Sequence, residues 1–233
     1  MLFVVNDPIA TEALLGHAFA DCGFEVATFE VVPPERIDDP AVDVTFPDAC
    51  GYDVIVPLGA RWPVYDDELR KTWVDDEMRL VRDADAAGVA VLGICFGGQL
   101  VAQAHGGSVR RSSAPEIGCY HVDSVDRSVV PDGPWFQWHL DRWTVPPRAT
   151  EIARNAQASQ AFVLGHTLAL QFHPELDAAL LKLWIDDDRD GEADQLGVVA
   201  RELLSSTVTL RDSTTCRTAT LVRGFLDNVA NIA

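Results

Sequence analysis

The chain has 233 residues, of which 48% are hydrophobic, and its 36 acidic against 18 basic residues give a formal charge of −18 at pH 7. This length and apolar content predict a single domain over residues 1–233, with a core over about 1–185 and a helical extension over about 190–233. So much negative charge repels the phosphates of nucleic acids and of anionic membranes, so we expect neither as a partner.

The first half of the chain alternates between two kinds of segment. Short apolar runs predict strands at residues 2–5, 24–31, 53–59 and 89–94, and apolar residues at helical spacing predict helices at 9–22 and 65–87. Residues 33–50 are rich in proline and aspartate and are predicted to form a loop. This alternation is typical of a doubly wound, mostly parallel, flavodoxin-like α/β sheet with helices on both faces.

The second half of the chain has a different texture. Short β-like runs with turn residues between them occur at 108–111, 117–125, 142–145, 151–154, 161–164 and 167–172. They predict a small antiparallel extension beside the main sheet. From about residue 176 the pattern is helical again, and we interpret the acidic run 186–194 within it as a solvated turn rather than a metal loop.

The location of the protein follows from two absences and from its cysteines. No stretch reaches the roughly 18 uninterrupted apolar residues of a membrane span, and no basic residue precedes the apolar N-terminus, as it would in a secretion signal. The cysteines are odd in number and lack C-x-x-C spacing; they are Cys22, Cys50, Cys95, Cys119 and Cys216. We therefore expect a soluble cytoplasmic protein with free thiols.

A candidate nucleophile lies at the end of the most hydrophobic predicted strand. There the sequence Gly93-Ile94-Cys95-Phe96-Gly97 leads from the strand into a helix. A G-x-nucleophile-x-G sequence at such a junction makes a sharp turn that exposes the middle side chain, and its glycines remove steric conflict. Backbone N–H groups at the start of the helix stabilise a thiolate. Cys95 is thus a candidate nucleophile, the alternative being a buried structural cysteine.

A catalytic thiol needs a base, and six histidines are available. His173 directly follows a predicted strand and precedes Pro174, which can begin a helix. In an extended chain the side chain of Glu175 points the same way as that of His173 and can orient it. These features indicate a triad of Cys95, His173 and Glu175.

The other five histidines fit this role less well. His17 and His105 fall in helix-like runs, and His121 and His166 in strand or turn segments, where a solvated or structurally satisfied histidine is the ordinary case. His139 lies in the cluster Trp138-His139-Leu140-Asp141, which we interpret as a structural corner.

Four segments now resemble the class I, triad-type glutamine amidotransferases, and among them the glutaminase of GMP synthase. They are VLGICFGGQ (91–99), PEIG (115–118), WHLD (138–141) and QFHPE (171–175), in the order found in the family. The resemblance implies that Cys95 attacks the side-chain amide of L-glutamine, forms a thioester and releases ammonia. His173 then protonates the departing ammonia and later activates the water that hydrolyses the thioester.

The resemblance also assigns supporting roles. It implies an oxyanion site made by the backbone N–H groups of Gly59 and Phe96, worth several kcal/mol in such sites. It implies that Gln99 helps to hold glutamine, although a polar helix residue with only local hydrogen bonds would look the same. No metal and no cofactor is implied.

One departure from the family concerns the oxyanion strand. This strand commonly ends in a Gly-Gly pair, whereas here Leu58 precedes Gly59. It is therefore open whether the donor at Gly59 is preformed. Arg61 and Trp62, which follow, cap the pocket, contact a partner, or form an ordinary exposed loop pair.

The sequence shows no module that uses ammonia. It contains neither a P-loop nor a Ser-Gly-Gly stretch for pyrophosphatase chemistry, so an ammonia-accepting synthetase would be another chain. The C-terminal helical segment either docks such a partner or packs on its own sheet; its candidate apolar residues are Leu196, Val199, Leu203 and Leu204. Three hypotheses follow: a glutaminase serving a separate synthetase, a hydrolase of other γ-glutamyl amides or peptides, and a non-catalytic regulatory protein.

Overall fold

The computed structural model describes residues 1–188 and 191–232. The strands are β1 (Leu2–Val5), β2 (Ala27–Glu30), β3 (Val54–Pro57), β4 (Ala90–Ile94), β5 (Ser108–Ser124), β6 (Gly133–Thr144), β7 (Thr150–Arg154), β8 (Ser159–Leu164) and β9 (Thr167–Leu170). The helices are α1 (Ala13–Asp21), α2 (Asp67–Leu69), α3 (Asp75–Ala87), α4 (Phe96–Ala104), α5 (Ala178–Asp186), α6 (Glu192–Gln195) and α7 (Ala200–Phe225). A π-helical turn, Arg70–Val74, joins α2 to α3, and another, Leu226–Ala230, follows α7.

These strands form one sheet in the order β2-β1-β3-β4-β9-β8-β7-β5-β6. The strands from β2 to β9 in this order run parallel, and those from β9 to β6 pair antiparallel. The predicted α/β fold class, with an antiparallel extension beside a parallel sheet, is confirmed. The carboxyl ends of the parallel strands β3, β4 and β9 lie side by side, which is where ligands bind in sheets of this kind.

Helices cover both faces of the parallel part because its strand residues alternate in direction. Phe3 and Val5 of β1 pack in one cluster with residues of α1 and α7, while Leu2 and Val4 pack in a second cluster with residues of α3 and α4. Since strands buried on both faces read as continuous apolar runs, the sequence pattern located this part well.

Two helix starts are set by aspartate side chains. Asp66 accepts hydrogen bonds from the backbone N–H groups of Glu68 (2.9 Å) and Leu69 (3.1 Å), which caps α2 close to the predicted start. The first helix begins at Ala13 rather than at residue 9, because Asp7 holds the preceding residues in a turn: its carboxylate accepts from the N–H of Ile9 and its carbonyl from that of Ala10.

The hairpin of β5 and β6 is the main difference from the sequence analysis. The predicted runs 108–111 and 117–125 belong to the one strand β5, whose pairing shifts register between Arg111 and Glu116, next to Pro115. Residues 133–141 were not predicted as a strand. They carry polar side chains on the buried face, at Gln137, His139 and Asp141, and this hides the usual alternation.

The C-terminal segment packs largely on its own chain. Leu203 is buried with Ile117, Phe136 and Leu180, and Leu204 packs against the same cluster, whereas Leu196 and Val199 are 40% and 49% exposed. The proposed division at about residue 190 stays a prediction, and within it residues 190 and 233 lie outside the described residues, as do 189 and 190 of the acidic run. Asp188 of that run accepts from the N–H groups of Glu192 and Ala193, an ordinary helix-capping turn.

Two searches of the described residues gave no result. Residues 1–188 and 191–232 contain no cluster of His, Cys, Asp or Glu side chains suited to a metal ion. None of the helices in the same ranges combines the length and the apolar character of a bilayer span. All five cysteines are free thiols.

Candidate active site

Cys95 occupies the sharp turn between β4 and α4. It has φ 50° and ψ −104°, a conformation that non-glycine residues rarely adopt, and it is the N-cap of α4. The glycines on either side are required: a methyl group on Gly97 would collide with the carbonyl of Pro57, and one on Gly93 would lie 2.7 Å from the carbonyl oxygen of Gly97. The G-x-C-x-G pattern thus forms the turn that its spacing predicted.

His173 and Glu175 form a buried pair. Nδ1 of His173 lies 2.7 Å from Oε1 of Glu175, and the two side chains are only 4% and 3% exposed. The backbone here is a turn after β9 and not an extended strand, and α5 begins at Ala178 rather than at Pro174. The predicted pairing is therefore present, but the reason given for it was wrong.

The electrostatics of the site favour a protonated His173. Burial lowers the pKa of His173, but the negative charges of Glu175 and of a Cys95 thiolate outweigh it and raise that pKa to about 10. The other ring nitrogen, Nε2, is buried and accepts or donates no hydrogen bond within the described part of the chain. An imidazolium at this place has one N–H anchored on Glu175 and a second one free to donate.

Gly59, after β3, brings the predicted residues together. A methyl group on Gly59 would lie 3.2 Å from Cε1 of His173 and 3.8 Å from Cβ of Cys95. The N–H of Gly59 donates to no residue that the structure describes, and Phe96, as the first residue of α4, has an N–H without an intrahelical partner. Two backbone donors therefore flank the thiol.

Gln99 lies one turn into α4 and is buried. Its Nε2 donates to the backbone oxygen of Asp141 (3.5 Å) and to Oε1 of Gln171 (3.4 Å), both at long range. Nε2 of Gln171 in turn lies 3.7 Å from Sγ of Cys95. The sequence analysis used Gln171 only as part of the QFHPE match and missed this contact with the thiol.

A cavity of about 350 Å³ opens in front of Cys95. Its wall includes Gly59, Gln99 and His173, and Trp138 and Trp184 line it as well. The ring of Trp184 meets the His173 ring edge-on, with centroids 4.7 Å apart. The triad residues and the predicted oxyanion glycine thus share one cavity.

Arg61 caps this cavity, which was one of the alternatives open for it. Its guanidinium pairs with both carboxylate oxygens of Asp7, at 2.7 and 3.1 Å, and with Asp187 at 2.6 Å. Trp62 also lines the cavity and meets Trp73 edge-on.

His139 lies in the middle of strand β6, so its interpretation as a structural corner was wrong. Its Nε2 lies 3.2 Å from Oε2 of Glu116, and both side chains are 1% exposed. Glu116 also accepts from Asn155 (2.7 Å) and Gln160 (3.2 Å), so the pair belongs to a buried polar network. His139 borders the cavity, but it is tied to Glu116 and not to Cys95.

Comparison with known proteins decides the family. Residues 11–182 match the family model described as "Glutamine amidotransferase class-I". The chain belongs to this family. The resemblance drawn from four motifs is thereby confirmed.

Relatives of this class I family member carry several names. It is 28% identical over 196 residues to "Glutamine amidotransferase-like protein chyE" of Penicillium rubens, covering 75% of this chain and 80% of that one. It is 28% identical to a GMP synthase of Aeropyrum pernix over 63% of this chain but only 28% of that protein. It is 25% identical to gamma-glutamyl peptidase 2 of Arabidopsis thaliana over 72% and 69% of the two chains.

A solved structure agrees with the family assignment. The crystal structure of a glutamine amidotransferase from Thermotoga maritima matches with a TM-score of 0.81 and 25% identity, covering 98% of this chain and 96% of that one.

This amidotransferase chain also buries an acid behind the cavity. Glu77 of α3 is fully buried; burial raises its pKa to about 8, against a lowering by the hydrogen bond that Asn6 donates to it at 3.2 Å. The carboxyl group therefore keeps its proton at neutral pH.

The raised pKa of Glu77 makes stability depend on pH. Between its unfolded value near 4.5 and its folded value of about 8 the folded state holds a proton that the unfolded state has lost, so stability falls as pH rises through this window. We expect Glu77→Gln, which has the same shape and cannot ionise, to unfold at a temperature several degrees higher than wild type at pH 8, with the difference shrinking toward pH 5. Thermal unfolding at several pH values measures this, and a difference that does not vary with pH would contradict it.

Proposed function

We propose that the protein hydrolyses the side-chain amide of glutamine, or of a closely related γ-glutamyl compound, through a thioester on Cys95. The observation that carries this is the buried pair of His173 and Glu175 beside a thiol held at a strained strand-to-helix turn. Membership of the class I family supports it. Neighbouring backbone donors at Gly59 and Phe96 supply what the reaction needs beyond the triad.

In the first half of the reaction the Cys95 thiolate attacks the amide carbon and the carbonyl oxygen becomes an oxyanion. The N–H groups of Gly59 and Phe96 stabilise that oxyanion in a cavity that excludes much of the solvent. His173 donates its Nε2 proton to the nitrogen, the C–N bond breaks, and ammonia leaves while the acyl group stays on Sγ.

In the second half the neutral His173 takes a proton from water, and the resulting hydroxide attacks the thioester carbon. The C–S bond breaks, which releases glutamate and regenerates the thiolate with a protonated His173. Glu175 keeps Nδ1 protonated throughout and orients the ring. Gln99, fixed between Asp141 and Gln171, is proposed to help hold the substrate.

A second candidate substrate class is a larger γ-glutamyl amide or peptide. The cavity of about 350 Å³ falls in the range of about 300–1,000 Å³ typical of sites for larger ligands. Trp138 and Trp184 give it an apolar wall, and the relative named gamma-glutamyl peptidase 2 aligns with most of this chain. In that case the leaving group is an amine rather than ammonia, and the thioester chemistry is unchanged.

The fate of the ammonia is a separate proposal. The relative named GMP synthase is covered for only 28% of its length, so a synthetase acting with this chain would be a separate polypeptide. Glutaminase turnover should rise when such a subunit is added at a matching concentration.

We expect the purified protein to release glutamate from glutamine, from γ-glutamyl dipeptides, or from both. Glutamate is the product common to every substrate, whereas ammonia appears only from glutamine, so measuring both separates the two substrate classes. A higher kcat/KM for glutamine supports a glutaminase, and a higher one for dipeptides supports a peptidase. Release from neither, alone or with a synthetase subunit, would leave only the non-catalytic hypothesis.

A further inference from the structure

The Leu58–Gly59 peptide after β3 is held on both of its sides. The N–H of Leu58 donates to the carbonyl of Val4 at 3.0 Å. The carbonyl of Leu58 accepts from the N–H of Gly97 at 3.2 Å and from Nδ2 of Asn6 at 3.3 Å. Because a trans peptide is planar, the N–H of Gly59 must point to the side opposite that carbonyl. Gly59 itself lines the cavity, and its N–H is left without a described partner.

Asn6 is the side chain that makes this arrangement specific. It follows β1 directly and is fully buried. Its side-chain amide has two N–H bonds, and both are used: one on the carbonyl of Leu58 and one on Oε1 of Glu77, at 3.2 Å. Because a buried amide with both donors engaged cannot turn without losing them, Glu77 fixes the orientation of Asn6.

The residue that replaces a glycine of the family explains why such a side chain is needed. Leu58 has no positive φ, and its side chain is buried in the core. The turn therefore gains anchorage from Leu58. A leucine does not by itself decide which way its carbonyl points, and the contacts of Asn6 and Gly97 do. Asp7, the next residue, accepts from the N–H of Arg61 at 3.2 Å and holds the far end of the same loop.

We propose that Asn6, held by Glu77, is a positioning residue that keeps the Leu58–Gly59 peptide turned with its N–H toward the substrate oxygen. The proposal rests on the proposed function, since it concerns the oxyanion of the same reaction. It makes the oxyanion site preformed in the free protein. Asn6 touches neither substrate nor thiol, and it acts only through the peptide that it holds.

The test is the variant Asn6→Leu, which keeps the size of the side chain and removes its donors. We expect kcat for the best γ-glutamyl substrate to fall about 10- to 100-fold with KM little changed, because a full oxyanion donor is worth about 10²–10³ in kcat and here it is displaced rather than removed. Alkylation of Cys95 by iodoacetamide forms no oxyanion, so its rate should stay within about twofold of wild type.

The matched control is Ser124→Ala, which removes a buried hydrogen bond to the carbonyl of Ile152 at the other end of the sheet. It should keep the wild-type kcat. If Asn6→Leu is too unstable to purify, Asn6→Leu with Glu77→Met replaces both partners and leaves no unpaired polar group, and the same loss of kcat is expected.

Three results would overturn the proposal. The first is an unchanged kcat in both Asn6 variants. The second is a parallel fall in kcat and in the alkylation rate, which would indicate general damage to the site. The third is a crystal structure of an Asn6 variant in which the Leu58 carbonyl still faces Gly97. This structure also decides the matter if wild type proves inactive, because a carbonyl turned into the cavity would support the proposal even where the proposed function had failed.

Discussion

Replacing Cys95 by alanine is expected to lower the rate of γ-glutamyl hydrolysis by at least about 10⁴-fold, since nucleophile variants of triad enzymes lose about that much or more. Without Sγ there is no thioester, and what remains is binding and the two backbone donors. The fold should survive, because alanine is smaller than cysteine and the strained turn is held by Gly93 and Gly97, not by the thiol. Steady-state glutamate release and thermal unfolding measure the two parts of this prediction.

The matched control for Cys95→Ala is Cys216→Ala, which removes an exposed thiol of α7 and should leave the rate unchanged. A glutamine analogue that alkylates thiols sharpens the contrast. It should label Cys95, only 6% exposed, before the exposed Cys50 and Cys216. Labelling in the order of exposure, or a Cys95→Ala variant with a tenth of the wild-type rate, would mean that Cys95 is not the nucleophile.

Local sequence predicted the parts of the site that depend on short spacing. The turn at Cys95 followed from glycines two residues away on either side, where close backbone contacts leave no room for a Cβ. The pairing of His173 with Glu175 followed from their separation by two residues, although a turn rather than an extended strand brings them together. Such features need little knowledge of the rest of the chain.

Parts of the site that depend on distant residues were not predictable in the same way. Asn6 and Glu77 are 71 positions apart, and neither has a local pattern that indicates a buried pair. Strand β6 was missed over residues 133–141 because Gln137, His139 and Asp141 face inward. These side chains are tolerated there because each finds a polar partner, and partners on other elements cannot be read from a hydrophobic pattern.

The family resemblance supplied what spacing alone could not. It placed Gly59 near Cys95 across a gap of 36 residues, and the structure puts the two within contact of one point. It did not say how a strand ending in Leu58 keeps its peptide oriented. Hydrogen bonds to Asn6 and Gly97 provide a physical answer at that position.

Replacing Glu175 by glutamine is expected to have the second largest effect on catalysis, a fall in kcat of about 10³- to 10⁴-fold. The glutamine keeps the shape of the side chain but loses the charge that, with the Cys95 thiolate, raises the pKa of His173 to about 10. Burial, which lowers this pKa, is then opposed by less negative charge. His173 should therefore lose its proton at a much lower pH than in wild type.

The pH dependence separates this electrostatic role from a purely structural one. In wild type the pKa of His173 is higher in the folded state than in the unfolded one, so its contribution to stability is complete below about pH 6.5 and is lost as pH rises toward 10. NMR of the His173 ring should show it protonated through pH 8 in wild type and titrating at lower pH in Glu175→Gln. Asp123→Asn, which removes a carboxylate beside the exposed His121, is the matched control and should change neither kcat nor the titration of His173. An unchanged titration of His173 in Glu175→Gln would show that the carboxylate only orients the ring, and any loss of kcat would then reflect geometry rather than charge.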